Sequence, residues 1–179
     1  MSDALRSLAN RVRLTVGRGV IDHVGDGAKV QTMQVRFLAG EVRADMERFQ
    51  QYGFTSVPLA GQEVIALFSG GDRSNGVVVA VGDRSYRMKG LKDGEVALYD
   101  DLGQSVHLTR DGIVIKGAGR PMLITDTPKL RIEADLEVTG EVKDRADADG
   151  RTMEAMRETF NAHTHPEPDG GTGTPTQTM

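Results

Sequence analysis

The most regular stretch of the 179-residue chain is LRIEADLEVTGEVK, residues 130–143. Leu130, Ile132, Ala134, Leu136, Val138, Gly140 and Val142 are apolar or small, and every residue between them is polar. A period of two puts one set on each face of an extended chain, whereas a helix would scatter both. As continuous β structure the segment would run for about 45 Å at roughly 3.3 Å per residue, far beyond the five or six residues of an ordinary strand. So long a stripe needs a partner surface of equal length, and the chain carries no second stripe like it. Two readings follow. One breaks the segment into strands of a sandwich, with a turn at Gly140. The other winds three copies of the chain into an intertwined β-helix, in which each stripe meets its own copies along an axis.

Other periods divide the rest of the chain. Ala4, Leu5, Leu8 and Val12 have helical spacing and predict a short amphipathic helix over 1–13. In TMQVRF, Met33, Val35 and Phe37 face one way and Gln34 and Arg36 the other, which predicts a half-buried strand. EVIALF and GVVVAVG, joined by the turn-rich SGGDRSN, predict a hairpin. Short strands over 14–88 suit a closed barrel of the OB type, which the pattern alone does not separate from a small sandwich. EVRADMERFQQYGF fits helix and strand equally. His23, in IDHVGDG, falls in a turn-like stretch. GEVALYDD, GQSVHLTRDGIVIKG and PMLITDTP predict short strands opening a region that spans 89–150. TMEAMRETF predicts a short helix with Thr152 as N-cap and Met153, Met156 and Phe160 on one side, beginning a terminal segment over 151–179.

Composition narrows the function. Aromatics are 4% and glycines number 22, a poor mixture for a close-packed interior and a suitable one for a β assembly whose core is shared between chains. A net charge of −4 argues against nucleic acid as a partner, since backbone binding needs clustered Lys and Arg. An OB barrel for single strands would also need stacking aromatics and a basic groove. With no cysteine, neither disulfides nor thiolate metal sites can form. The first residues lack the apolar core of a signal peptide, and the expectation is a soluble protein made in a cytoplasm. SGGDRSNG lacks the Lys-Ser/Thr ending of a P-loop, and no nucleophile–base pair stands out. DRADADG has Asp144, Asp147 and Asp149 at calcium-loop-like spacing without the later Glu, and reads as a solvated acidic turn.

Of four histidines, two are His163 and His165 in the terminal AHTHPEPDGGTGTPTQTM. Residues i and i+2 of an extended chain point to one side, so both imidazoles aim together and Thr164 turns away. Two nitrogens alone hold a transition metal weakly. The remaining ligands would come from His23 or His107 of the same chain, as in a metal-dependent cell-wall hydrolase; from water, which makes the pair incidental; or from symmetry. Three copies would bring six imidazoles, an octahedral set that suits iron better than zinc. Thr172, Thr174, Thr176 and Thr178 continue a period of two beyond the histidines.

RFQQYGFTSVPLAGQEVIALFSGGDRSNGVVVAVGD (48–83) and TMEAMRETFNAHTHPEPDGGTGTP (152–175) resemble the baseplate central-spike proteins of contractile-tailed phages, the Mu-like group. The resemblance implies a mainly β fold: an N-terminal OB-fold barrel, an intertwined trimeric triple-stranded β-helix and a pointed apex tied by metal. It implies a non-enzymatic homotrimer in the virion tail, assembled in the host cytoplasm, bound to hub and tube proteins through the OB domain and piercing the host outer membrane. A phage-derived bactericidal tail or a secretion-system spike would use the same parts. It also implies one iron ion per trimer, held by His163 and His165 of all three chains, with calcium and chloride ions whose ligands no motif here assigns.

Overall fold

The computed structural model describes residues 2–178. The fold is mainly β and falls into two units, up to Met122 and from Leu123.

The first unit opens with α1 (Asp3–Arg13), capped by the Ser2 hydroxyl, which accepts from Leu5 N–H at 3.4 Å. Near its C-terminus, Arg11 Nε donates to the Gly70 carbonyl at 3.2 Å, tying the helix to the turn at Ser69–Gly71. Leu5, Leu8 and Val12, the predicted apolar face, stay exposed.

Five strands follow: β1 (Val16–Gly25), β2 (Gln31–Arg36), β3 (Val42–Arg48), β4 (Glu63–Phe68) and β5 (Gly76–Gly82). They close in the order β1-β2-β3-β5-β4, with a parallel β3–β5 pair and β1 bending to join both β2 and β4. The alternation seen in the sequence is the core. Met33 and Val35 of β2, and Val64, Ala66 and Phe68 of β4, point inward with Ile21, Phe37, Met46 and Val78. Phe37 and Phe68 meet edge to face, with ring centroids 5.5 Å apart. That pair fits because β1 presents glycine at two inward positions. A Cβ on Gly17 would stand 2.8 Å from the Phe68 ring, and one on Gly19 2.6 Å from Val35 Cγ1. The β4–β5 hairpin forms as expected.

Two readings needed the structure. Of the ambiguous EVRADMERFQQYGF, Val42–Arg48 is strand β3 and the rest is not strand, and the ambiguity has a cause. A bulge lets Arg43 and Met46, three residues apart, oppose Val35 and Met33, two apart, so the strand mimics helical spacing. His23 lies inside β1 next to a register shift, not in a turn. Ile21 and Val24 are separated by two polar residues, Asp22 and His23, so no alternation marks the strand there.

A meander of β6 (Val96–Tyr99), β7 (Ser105–Leu108) and β8 (Ile113–Lys116) completes the unit. Glu95, just before β6, accepts from the N–H groups of Lys92 (2.9 Å) and Arg110 (3.2 Å). PMLITDTP, expected as a strand, forms none. Residues 121–142 are likewise without strand in the second unit and across the boundary, and the backbone groups of 121–141 make no bond to another backbone group among the described residues. The alternating residues there cannot pair within one chain because no second strand lies alongside.

After this segment, Lys143 and Thr152 bridge and enclose the acidic turn. Its carboxylates serve the turn itself: Asp144 Oδ1 accepts from Arg151 N–H at 3.1 Å, and Asp149 pairs with Arg145 at 2.9 Å. Helix α2 (Met153–Ala162) then starts as expected, with the Thr152 hydroxyl accepting from Ala155 N–H at 3.1 Å. The tail departs from a continued extended period. It folds into a hairpin of β9 (Pro166–Glu167) and β10 (Gly170–Gly171). Pro168, Asp169 and Gly170, with φ 143° at Gly170, supply the reversal, and no strand continues through the later threonines among the described residues.

Candidate metal centre

Helix α2 ends at Ala162, and His163 leaves it in extended conformation, with φ −72° and ψ 147°. The Phe160 carbonyl, left without an intrahelical partner, accepts from the His163 backbone N–H at 3.4 Å and lies 2.5 Å from His163 Nδ1. A carbonyl has no proton to give, so Nδ1 carries the hydrogen of this contact and Nε2 is the ring nitrogen left outside it. The Phe160 ring packs against the imidazole, centroids 5.3 Å apart.

His165 enters the hairpin. Its N–H donates to the Thr172 hydroxyl at 2.8 Å, and its carbonyl accepts from the Thr172 N–H at 2.8 Å. The two imidazoles meet with centroids 5.1 Å apart and planes at 88°. The pair is therefore gathered on one side of the chain, half-buried at His163 and exposed at His165.

Each chain offers two imidazole nitrogen donors of intermediate softness, one of them oriented by the contact of His163 Nδ1 with the Phe160 carbonyl. That donor set fits a first-row transition metal provided other chains complete it. No group of three or more His, Cys, Asp or Glu placed for a metal occurs among the described residues. His107, the other strand histidine, has its Nε2 3.3 Å from Glu95 Oε2 but off the line of a hydrogen bond, and the nitrogen is buried without one. His23 sits on the barrel wall. Thr172 and the Phe160 carbonyl were not found by sequence reasoning. The only signal for Thr172 was its place in a polar repeat, and a main-chain carbonyl leaves no mark in a sequence.

A second feature bears on assembly. The β6–β8 meander turns its aliphatic face outward. Val96, Leu108 and Ile113 form one cross-strand row and Leu98, Val106 and Ile115 the next, all between 38% and 70% exposed. Along 130–142, Leu130, Ile132, Leu136, Val138 and Val142 are 40% to 67% exposed. Glu95, not an aliphatic residue, has the covered side chain, 5% exposed. An ordinary soluble sheet has the opposite arrangement.

The family described as "Bacteriophage Mu Gp45, N-terminal" matches residues 18–85, the span of the barrel. The "Baseplate puncturing device gp45" of Escherichia phage Mu is 36% identical over 140 residues, 75% of this chain and 71% of that protein. The chain belongs to the bacteriophage Mu Gp45 family. A further relative, the "Mu-like prophage FluMu protein gp45" of Haemophilus influenzae, is 41% identical over 120 residues, 67% of this chain and 65% of its own length. Membership in the Mu Gp45 family agrees with the resemblance read from the barrel and from the AHTHPEPDGGTGTP tail. No helix among the described residues is long and apolar enough to cross a membrane.

Proposed function

We propose that this Mu Gp45-family chain is the structural, non-enzymatic central spike of a contractile phage baseplate. In this reading it acts as a homotrimeric needle at the tip of the virion tail and punctures the host outer membrane when the sheath contracts. The closed barrel, with its 1-2-3-5-4 order, is assigned as the OB-type domain (14–88) that docks on hub and tube proteins. Residues 89–150 form an intertwined triple-stranded β-helix, and 151–179 the apex. The name of the phage Mu relative, a baseplate puncturing device, points the same way.

The observation that carries the proposal is the state of residues 130–141 within one chain: apolar or small on alternate positions, exposed there, and bonded to no other backbone group among the described residues. Buried backbone groups are nearly always satisfied, and a structureless segment of this length inside an ordered protein needs an external partner. Two further copies supply it. Each stripe then covers the others, and the inter-chain ladders close the open N–H and C=O groups. A shaft built this way resists compression, because sliding one chain breaks many ladder bonds together.

At the apex, His163 and His165 of three chains would hold one iron ion. When bound, the ion supplies a crosslink among three chain ends. The chain's own residues do the remainder. Phe160 holds one imidazole, the 166–171 hairpin holds the other, and α2 anchors both through Met153 N–H, which donates to Val142 O at 2.9 Å at the end of the stripe. Sedimentation of the purified chain together with metal analysis tests the proposal. A trimer carrying one iron per three chains is expected, and a monodisperse monomer overturns it.

A further inference from the structure

We infer that Thr172 is the positioning residue for His165 and that the Phe160 carbonyl is its counterpart for His163, so that the pair is set for metal before the metal arrives. The inference rests on the proposed role of these histidines and adds residues that hold them. Thr172 brackets His165 from both sides of its backbone: its hydroxyl accepts from His165 N–H at 2.8 Å, and its N–H donates to His165 O at 2.8 Å. They lie seven positions apart in sequence, and the β9–β10 hairpin brings them together. The side chain of Thr172 is partly covered, while the neighbouring Gly171 and Gly173 offer no side chain that could do the same work.

The chemistry follows from what each contact removes. A peptide N–H such as that of His165 gains order when a fixed oxygen accepts it, and losing rotation about the backbone fixes where the imidazole starts. The contact from His163 Nδ1 to Phe160 O selects the Nδ1–H tautomer, leaving Nε2 as the ligand atom. The edge-to-face approach of the two rings, at 88°, then limits the rotation of His165 about its own side-chain bonds. Supports of this kind around a metal ligand typically change affinity by about 10–100-fold when removed.

Thr172→Val keeps the shape and the backbone N–H but deletes the oxygen acceptor; Thr172→Ser restores the oxygen and deletes the methyl. Ferrous iron retention is measured by chelator competition on the full-length protein, with sedimentation to follow its assembly. The expected result is iron binding weakened about 10–100-fold in Thr172→Val, with the trimer retained, and binding within a few-fold of wild type in Thr172→Ser. A second readout needs no metal. In the metal-free protein, hydrogen exchange at His165 N–H speeds up in Thr172→Val and returns in Thr172→Ser, and ¹⁵N shifts report His163 as the Nδ1–H form. Thr172→Val behaving as wild type in both readouts, Thr172→Ser failing as badly as Thr172→Val, or an Nε2–H His163 overturns the inference. Failure of the underlying reading looks different: wild type itself would then hold no iron, and the inference would fall with it.

Discussion

Replacing Leu136 with Asp separates the shared-core account from any single-chain one. Within one chain Leu136 is 67% exposed, and a polar substitution at such a site ordinarily changes stability by no more than about 0.5 kcal/mol. In a threefold seam the same side chain is buried in every copy. Burial of Leu contributes about 1.5–3 kcal/mol per copy, or roughly 4.5–9 kcal/mol for three. Placing three carboxylates around one axis adds several kcal/mol for each desolvated charge. At about 1.4 kcal/mol per decade, loss of the apolar contribution alone lowers the trimerisation constant roughly a thousandfold or more. Sedimentation velocity at micromolar concentration, across Leu136→Val, Leu136→Ala and Leu136→Asp, should give progressively weaker trimers, with Asp monomeric or misassembled. Glu137→Ala, on the polar side of the stripe, serves as the control and should remain trimeric. Thermal unfolding of the barrel, which Leu136 does not enter, shows that each variant is still folded. A stable Leu136→Asp trimer would place the stripe away from the seam and refute the reasoning.

Three other predictions concern separate parts of the chain. The His163→Ala, His165→Ala double variant should lose bound iron and remain a trimer, since the apolar stripe lies outside the metal site; mass spectrometry and metal analysis of one sample check both. In the barrel, Glu41 takes Arg73 Nη2 at 2.7 Å and Arg43 Nε at 2.7 Å; the hydrogen bond from Arg73 holds its carboxyl below the usual range, opposed by burial and aided by the bond from Arg43. Its stabilising contribution is complete above the free-Glu value of about 4.3 and is lost as pH falls through the lowered folded value, so Glu41→Gln should lower the melting temperature at pH 7 and flatten its decline between pH 5 and 3. Gly71, at φ +75°, would place a Cβ 2.4 Å from the Arg11 carbonyl, so Gly71→Ala should release α1, measured as faster hydrogen exchange over Asp3–Arg13 while the barrel stays protected.

Much of the fold was legible because period and environment agreed. β2 alternates cleanly since one face meets the barrel interior, and β4, a nearly continuous apolar run, was legible from its hairpin with β5, although only its alternate residues are buried. α2 announced itself through Thr152 and its apolar face, and the histidine pair through the simple geometry of i and i+2. β3 was illegible because its bulge replaces a period of two with a spacing of three. The β6–β8 meander showed its alternation but concealed its direction: nothing in VALY or SVHL says that the aliphatic side faces outward, since sequence patterns record which residues share a face and not what that face meets. The tail misled for a related reason. Four threonines at every second position imply an extended run, yet the Pro168-Asp169-Gly170 turn lies upstream of them and reverses the chain first.

Apolar exposure and histidine geometry belong to one physical argument. A chain with a low aromatic content and a short barrel core lacks the means to cover the β6–β8 face and the 130–142 stripe by itself, and both lie on consecutive stretches leading toward the histidines. In the proposed trimer the copies run side by side over residues 130–142, so that the apolar residues at alternate positions of each chain meet those of the others. Side-by-side chains deliver their α2 helices, and hence their histidines, at the same level along the shared axis. In the proposed assembly, metal coordination at the end would be a geometric consequence of stripe pairing. The order of dependence follows: breaking the stripe should remove the metal, whereas removing the histidines should leave the stripe paired. A Leu136→Asp variant that dissociates to monomer yet retains iron with wild-type affinity would break that order and show that the histidines find their ligands within one chain.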